Sequence, residues 1–150
     1  MSNRALRRSS VEMEIAYSLR PLRAIVAQSE DKSRRKLSGW LFDRGWEVRE
    51  VGDADQLREA LRDSILDQEV ADLVVVDADL QGSEESPLAV LSDLAAPLSI
   101  SIVLISAFPD IEVVSRAKRL GITHVVGKPV DVKKMGRIVT TIARGNRDAP

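Results

Sequence analysis

Five short apolar segments alternate with five helical patterns between residues 22 and 144, and this alternation limits the chain more than any other feature. Leu22–Ala27 is a continuous apolar run around one arginine, and it reads as a buried strand. After a polar break at Gln28–Asp31, Leu37, Trp40 and Leu41 fall on one helical face at i, i+3 and i+4. Gly45 ends that helix. Trp46–Val51 alternates, with Trp46 and Val48 inward and Glu47 and Arg49 outward. Asp53 and Gln56 have capping-box spacing, and Leu57, Ala60, Leu61 and Ile65 give the next helix its buried stripe. Ala71–Val76 is aliphatic apart from Asp72, reads as a strand and ends at Asp77. A loop with Gly82 and Pro87 leads to a short helix carrying Leu88, Leu91 and Leu94. Ile100–Ile105 ends at Ser106. Asp110 caps a helix with Val113, Val114, Ala117 and Leu120 inward, and Gly121 stops it. Thr123–Val126 is a brief strand, followed by a Lys128-Pro129 turn. Met135, Ile138, Val139 and Ile142 line the last helix, expected to close before Gly145.

Strands alternating with helices in this way predict an α/β fold: a doubly wound, five-stranded parallel sheet with five helices and right-handed crossovers. The expected organisation is an extension over 1–21, flexible or partly helical, a domain over 22–144 and a tail over 145–150. Of the 150 residues 44% are hydrophobic and 30% charged, which suits one packed domain with a hydrated surface. Several classes are excluded. No aliphatic run is long enough to cross a bilayer, and Arg4, Arg7 and Arg8 have no apolar stretch behind them to make a secretory signal. There is no cysteine, and His124 is the single histidine, so disulfide scaffolds, thiolate nucleophiles and multi-histidine zinc sites are out. The expected address is the cytoplasm.

In sheets of this kind ligands sit beyond the carboxyl ends of the strands. Three residues there compose a phosphoryl site. Asp77 offers a carboxylate nucleophile, Ser106 a hydroxyl donor and Lys128 a fixed positive charge. No glycine-rich phosphate loop, nucleophile elbow or acid–base pair supports a metabolic enzyme.

With those residues in place, the chain resembles the receiver domain of two-component response regulators, over about residues 22–144. The stretches DLVVVDADLQG at Asp72–Gly82, IVLISA at Ile102–Ala107 and GITHVVGKPVD at Gly121–Asp131 carry the likeness. The resemblance implies a flavodoxin-like fold. It makes Asp77 the acceptor of a phosphoryl group from a histidine kinase or phosphotransfer protein, with Ser106 and Lys128 as its partners. It also implies a cis bond before Pro129 and a signalling role rather than an enzymatic one. With no output domain after the receiver, action on a separate partner is expected.

The family's magnesium site is altered here. Its two adjacent acids fall at Gln28 and Ser29, both neutral, so the expected Mg2+ site is weakened to Asp77, the backbone carbonyl of Asp79, and Gln28, Ser29 or Glu30. A shift of two residues would make Glu30 and Asp31 the pair but would misplace the first helix. Val125 stands where the family often has an aromatic residue. These departures favour an alternative, a phosphorylation-independent receiver-like adaptor for protein binding. His124 is expected on the surface or partly buried, and Trp40 and Trp46 in the core.

Charge is unevenly spread. Residues 51–100 hold twelve acids and two bases, whereas Arg116, Lys118 and Arg119 with Lys133, Lys134 and Arg137 make the last two helices basic. That face is either ordinary hydration or a docking surface for an acidic downstream protein, and a second copy of the chain is a further candidate partner. No aromatic interleaving or recognition-helix pattern favours nucleic acid.

Overall fold

The computed structural model describes residues 20–82, 86–122 and 124–148, without the side chains of 147 and 148. The extension expected over 1–21 therefore lies outside the described residues except for Arg20 and Pro21. Five strands, β1 (Leu22–Ala27), β2 (Trp46–Val51), β3 (Leu73–Asp77), β4 (Ser101–Ser106) and β5 (His124–Gly127), form one parallel sheet in the order β2-β1-β3-β4-β5. The helices are α1 (Asp31–Asp43), α2 (Ala54–Leu66), α3 (Pro87–Leu94), α4 (Ile111–Arg119) and α5 (Val132–Asp148), with a single 3-10 turn at Ala96–Leu98. The expected α/β architecture is the one observed.

Strand pleating sorts the core into two layers. Leu22, Ala24 and Val26 of β1, Leu73 and Val75 of β3, and Val103 and Ile105 of β4 face α1 and α5. They pack there with Leu41, Met135 and Val139. The intervening residues Ile25, Ala27, Val74, Val76, Ile102 and Leu104 face α2, α3 and α4, meeting Leu57, Leu61, Val90, Leu91 and Ala117. Both faces of the sheet are covered, which is why the central strands are almost wholly apolar while edge strand β2 alternates. Chain order reverses direction between β1 and β3, so a crevice opens at their carboxyl ends.

Local chemistry sets the helix ends. Asp53 Oδ1 accepts the Gln56 N–H at 2.7 Å and Asp110 Oδ1 the Val113 N–H at 3.0 Å, so both expected caps form. The reciprocal half of the first box differs, because Gln56 Oε1 takes the N–H of Gly52 at 2.8 Å. Gly45 and Gly121 adopt φ of 89° and 78° just after α1 and α4, conformations that glycine reaches without a side-chain clash.

Several boundaries and faces differ from the sequence reading. Strands β3, β4 and β5 each end one residue later than expected, because Asp77 pairs with Ile105 and Ser106 with Gly127 in the parallel ladder, and β3 and β4 begin at Leu73 and Ser101 rather than Ala71 and Ile100. Helix α3 buries Pro87, Val90 and Leu91 and leaves Leu88 and Leu94 half-buried. Helix α5 passes through Gly145 to Asp148, with Asn146 of its last turn anchored to the domain, so residues 145–148 are helix rather than tail. Arg20, assigned to the extension, is bound into the domain by Asp72.

Candidate functional site

Strand β3 delivers Asp77 to the crevice, 8% exposed and following the alternation of Leu73 and Val75, toward the α1–α5 side. Its Oδ1 accepts the Asp79 N–H at 3.0 Å, and its Oδ2 accepts from Lys128 Nζ at 2.5 Å. Lys128 follows β5, its backbone N–H donates to the Ser106 carbonyl at 3.1 Å, and its peptide bond to Pro129 is cis. A buried carboxylate thus has its negative charge matched by an ammonium group that stays one-third exposed.

The structure brings Asp77 and Lys128 into contact, while Ser106 has a different setting. It shares the strand alternation of Ile102 and Leu104, is 5% exposed, and its Oγ accepts the Phe108 N–H at 3.2 Å. Backbone bonds tie it to the other two: the Lys128 N–H ends on its carbonyl, and the neighbouring Ile105 carbonyl takes the Ala78 N–H at 2.7 Å.

Gln28 leaves the end of β1 at 5% exposure, with its backbone N–H on the Val51 carbonyl at 3.1 Å and its carbonyl accepting from Arg34 Nη1 at 2.9 Å. Its side-chain Oε1 is buried with no hydrogen-bond partner. Ser29 and Glu30 are exposed, and Glu30 is the residue before α1. The sequence reading missed Gln81. Its backbone N–H donates to Ser29 Oγ at 3.1 Å, and its Nε2 donates to the Asp79 carbonyl at 3.1 Å. It therefore donates to two of the oxygens that the sequence offered to a metal, taking one lone pair of each. No spacing rule marks a glutamine four residues after an aspartate for that role.

Whether a divalent ion fits follows from these donors. A resident Mg2+ needs hard oxygen ligands and negative charge. Here Asp77 is the single buried carboxylate of the set, and Lys128 shares it; the other carboxylate, Glu30, is exposed. Gln81 holds the Asp79 carbonyl and the Ser29 hydroxyl. Among the described residues, no three acidic or histidine side chains cluster as a metal site. The donor set does not fit a resident divalent ion.

A cavity of about 350 Å³ opens from Asp77, Lys128 and Gln28 along the gap between α1 and the start of α5, walled by Leu37, Trp40 and Met135. Trp46 is buried as expected, whereas Trp40 is half-buried at this wall with the Arg44 guanidinium 3.7 Å from its ring centre. His124 and Val125 are half-buried. The six bases named on α4 and α5 are all exposed, and Phe108 and Ile111 are strongly exposed.

At the other end of the sheet, Asp72 is 6% exposed and accepts from Arg20 Nη1 and Nη2 at 2.9 and 2.7 Å, the Arg23 N–H at 2.9 Å and Asn146 Nδ2 at 3.0 Å. None of these partners is a sequence neighbour. No helix among the described residues is long and apolar enough to cross a membrane.

No family model and no curated protein matches the chain. Solved structures do. The signal receiver domain of an HD domain-containing protein from Pseudomonas fluorescens Pf-5 is 20% identical, with a TM-score of 0.71 over 87% of this chain and 100% of that one. A response regulator receiver protein from Pseudomonas putida is 23% identical, with a TM-score of 0.69 over 81% and 98%. A CheY-like response regulator receiver domain protein from Methanospirillum hungatei JF-1 is 13% identical, with a TM-score of 0.70 over 86% and 98%. The fold is that of response-regulator receiver domains.

Proposed function

We propose that the chain is a receiver-type signalling protein whose Asp77 accepts a phosphoryl group from a histidine kinase or phosphotransfer protein. The observation that carries this reading is the Asp77–Lys128 pair at the carboxyl rim of a receiver fold. A carboxylate oxygen of Asp77 attacks phosphorus; the new O–P bond forms as the P–N bond of the donor phosphohistidine breaks and imidazole leaves with the electron pair. The Lys128 ammonium, already in contact with the carboxylate, offsets charge on the phosphoryl oxygens as they approach. The Asp79 N–H holds the other carboxylate oxygen and fixes the plane of attack. Ser106 would release its bond to Phe108 to reach the product, and that exchange would alter the loop leading into α4 and the surface offered to a downstream partner.

Metal takes no part in these steps. The chemistry is signalling and not metabolic turnover.

A second reading has its own support. The Gln81 bonds to Ser29 and to the Asp79 carbonyl close the rim without any ion, as suits an adaptor that binds protein partners through the same fold and needs no phosphorylation.

Intact-mass measurement after incubation with acetyl phosphate separates the two. Phosphotransfer predicts one added phosphoryl mass, absent in Asp77→Asn, formed about a hundredfold more slowly in Lys128→Gln, and little changed by magnesium. An unlabelled wild-type chain, with and without magnesium, would instead assign the adaptor role.

A further inference from the structure

We infer that the cavity between α1 and α5 is a binding site for a small, neutral aromatic molecule carrying an N–H or O–H donor. Three observations converge on that chemistry. The first is size: about 350 Å³ lies within the usual range for ligand pockets, and roughly 150 Å³ of apolar cavity already admits benzene. The second is the wall. Leu37 and Met135 supply flexible apolar surface and Trp40 an aromatic one, a combination that accepts a flat ring.

The third is the inner end, which also sets the ligand's polarity. Gln28 lines the cavity nine-tenths buried, and its Oε1 has no donor. A buried acceptor left unpaired is unfavourable, so a ligand that supplies an N–H or O–H removes that penalty. The terminal amide torsion of glutamine is soft, and the oxygen can turn toward an arriving donor. Charge at this end is already matched, because Asp77 and Lys128 pair with each other. Glu30 and Lys36 at the rim are likewise of opposite sign. At this buried end neither an anion nor a cation finds an uncompensated partner, so a neutral donor is the best fit there. The site is that of the unphosphorylated chain, and it stands whether or not Asp77 serves as a phosphoacceptor.

Indole and 1-methylindole are suitable probes, alike in shape except that the second lacks the N–H. The full chain, 15N-labelled, unphosphorylated and free of metal, is titrated with each and followed by two-dimensional NMR. Indole is expected to give saturable shifts at the Gln28 side-chain amide and the Trp40 indole resonance. 1-Methylindole should bind at least about fivefold more weakly, the equivalent of one hydrogen bond. In Gln28→Met both probes should still bind but with equal affinity, while unchanged resonances elsewhere report an intact fold. Equal binding of the two probes to the wild-type chain would overturn the proposal. So would the absence of saturable shifts at Gln28 and Trp40, or a cavity that responds to a protein phosphodonor and not to indole.

Discussion

Asp72 is buried deeply enough that its charge needs an explanation. Burial by itself raises a carboxyl pKa. The two Arg20 contacts, the Arg23 N–H, the Asn146 amide and the nearby Arg20 charge act the other way and prevail, holding the carboxyl below the usual aspartate range. A carboxyl with a depressed pKa in the folded state stabilises the fold fully above its unfolded pKa, and that contribution fades as pH falls through the folded value. Asp72→Asn should therefore lower stability at pH 7 by about 1.5–3 kcal/mol, the range for hydrogen bonds to charged groups. The deficit should shrink steadily below about pH 4, the unfolded carboxyl value. Urea melts of both proteins across that range check it; a deficit that stays constant into strong acid would show that the carboxylate is not the source. Nothing local announces this cluster, because its partners stand 49, 52 and 74 residues away. Asp77, Ser106 and Lys128 were legible for the opposite reason: each ends an apolar run, where a parallel sheet gathers its chemistry. What the sequence withheld was how they pair, since Ser106 Oγ turns to Phe108 and Gln81 binds the Asp79 carbonyl.

At the scale of single elements, periodicity and capping carried most of the information. Strands β1 and β2 coincide with their aliphatic and alternating segments, and Asp53 and Asp110 cap α2 and α4 at the spacing the residues suggest. Asp110→Ala should cost about 1 kcal/mol and lower hydrogen-exchange protection at the Val113 amide before that of the sheet. Equal protection in both proteins would mean that tertiary packing alone holds the start of α4. Gly121→Ala should cost a similar ~1 kcal/mol, measured by thermal melting, because its φ of 78° is strained for any residue with a Cβ. The errors have physical causes too. Val90 of α3 is buried in preference to Leu88 and Leu94 because tertiary contact with α2 selects the helix face. The ends of β3 and β4 were set by ladder partners on other strands, which no window along one segment can see.

For the molecule as a whole, alternation of strands and helices sufficed for the class of fold, and right-handed crossovers restricted the order of strands. Pleating then divided the apolar residues into two layers and sent Gln28, Asp77 and Lys128 to the same side of the sheet as α1 and α5, where the cavity lies. Acids concentrated in residues 51–100 fall mainly on α2, α3 and their loops, and the exposed bases of α4 and α5 lie later in the chain, so the surface carries charge of opposite sign on different helices.

Arg20 and Asn146 hold the same carboxylate, which places the entry to β1 and the last turn of α5 side by side. A short polar linker between those points should turn the domain into a closed loop. It could then be cut open at Gln68, an exposed turn whose φ of 57° is awkward for a residue with a side chain. Such a permuted chain should melt cooperatively and keep the Asp77–Lys128 geometry, because the knot at Asp72 already does the work of a covalent seam.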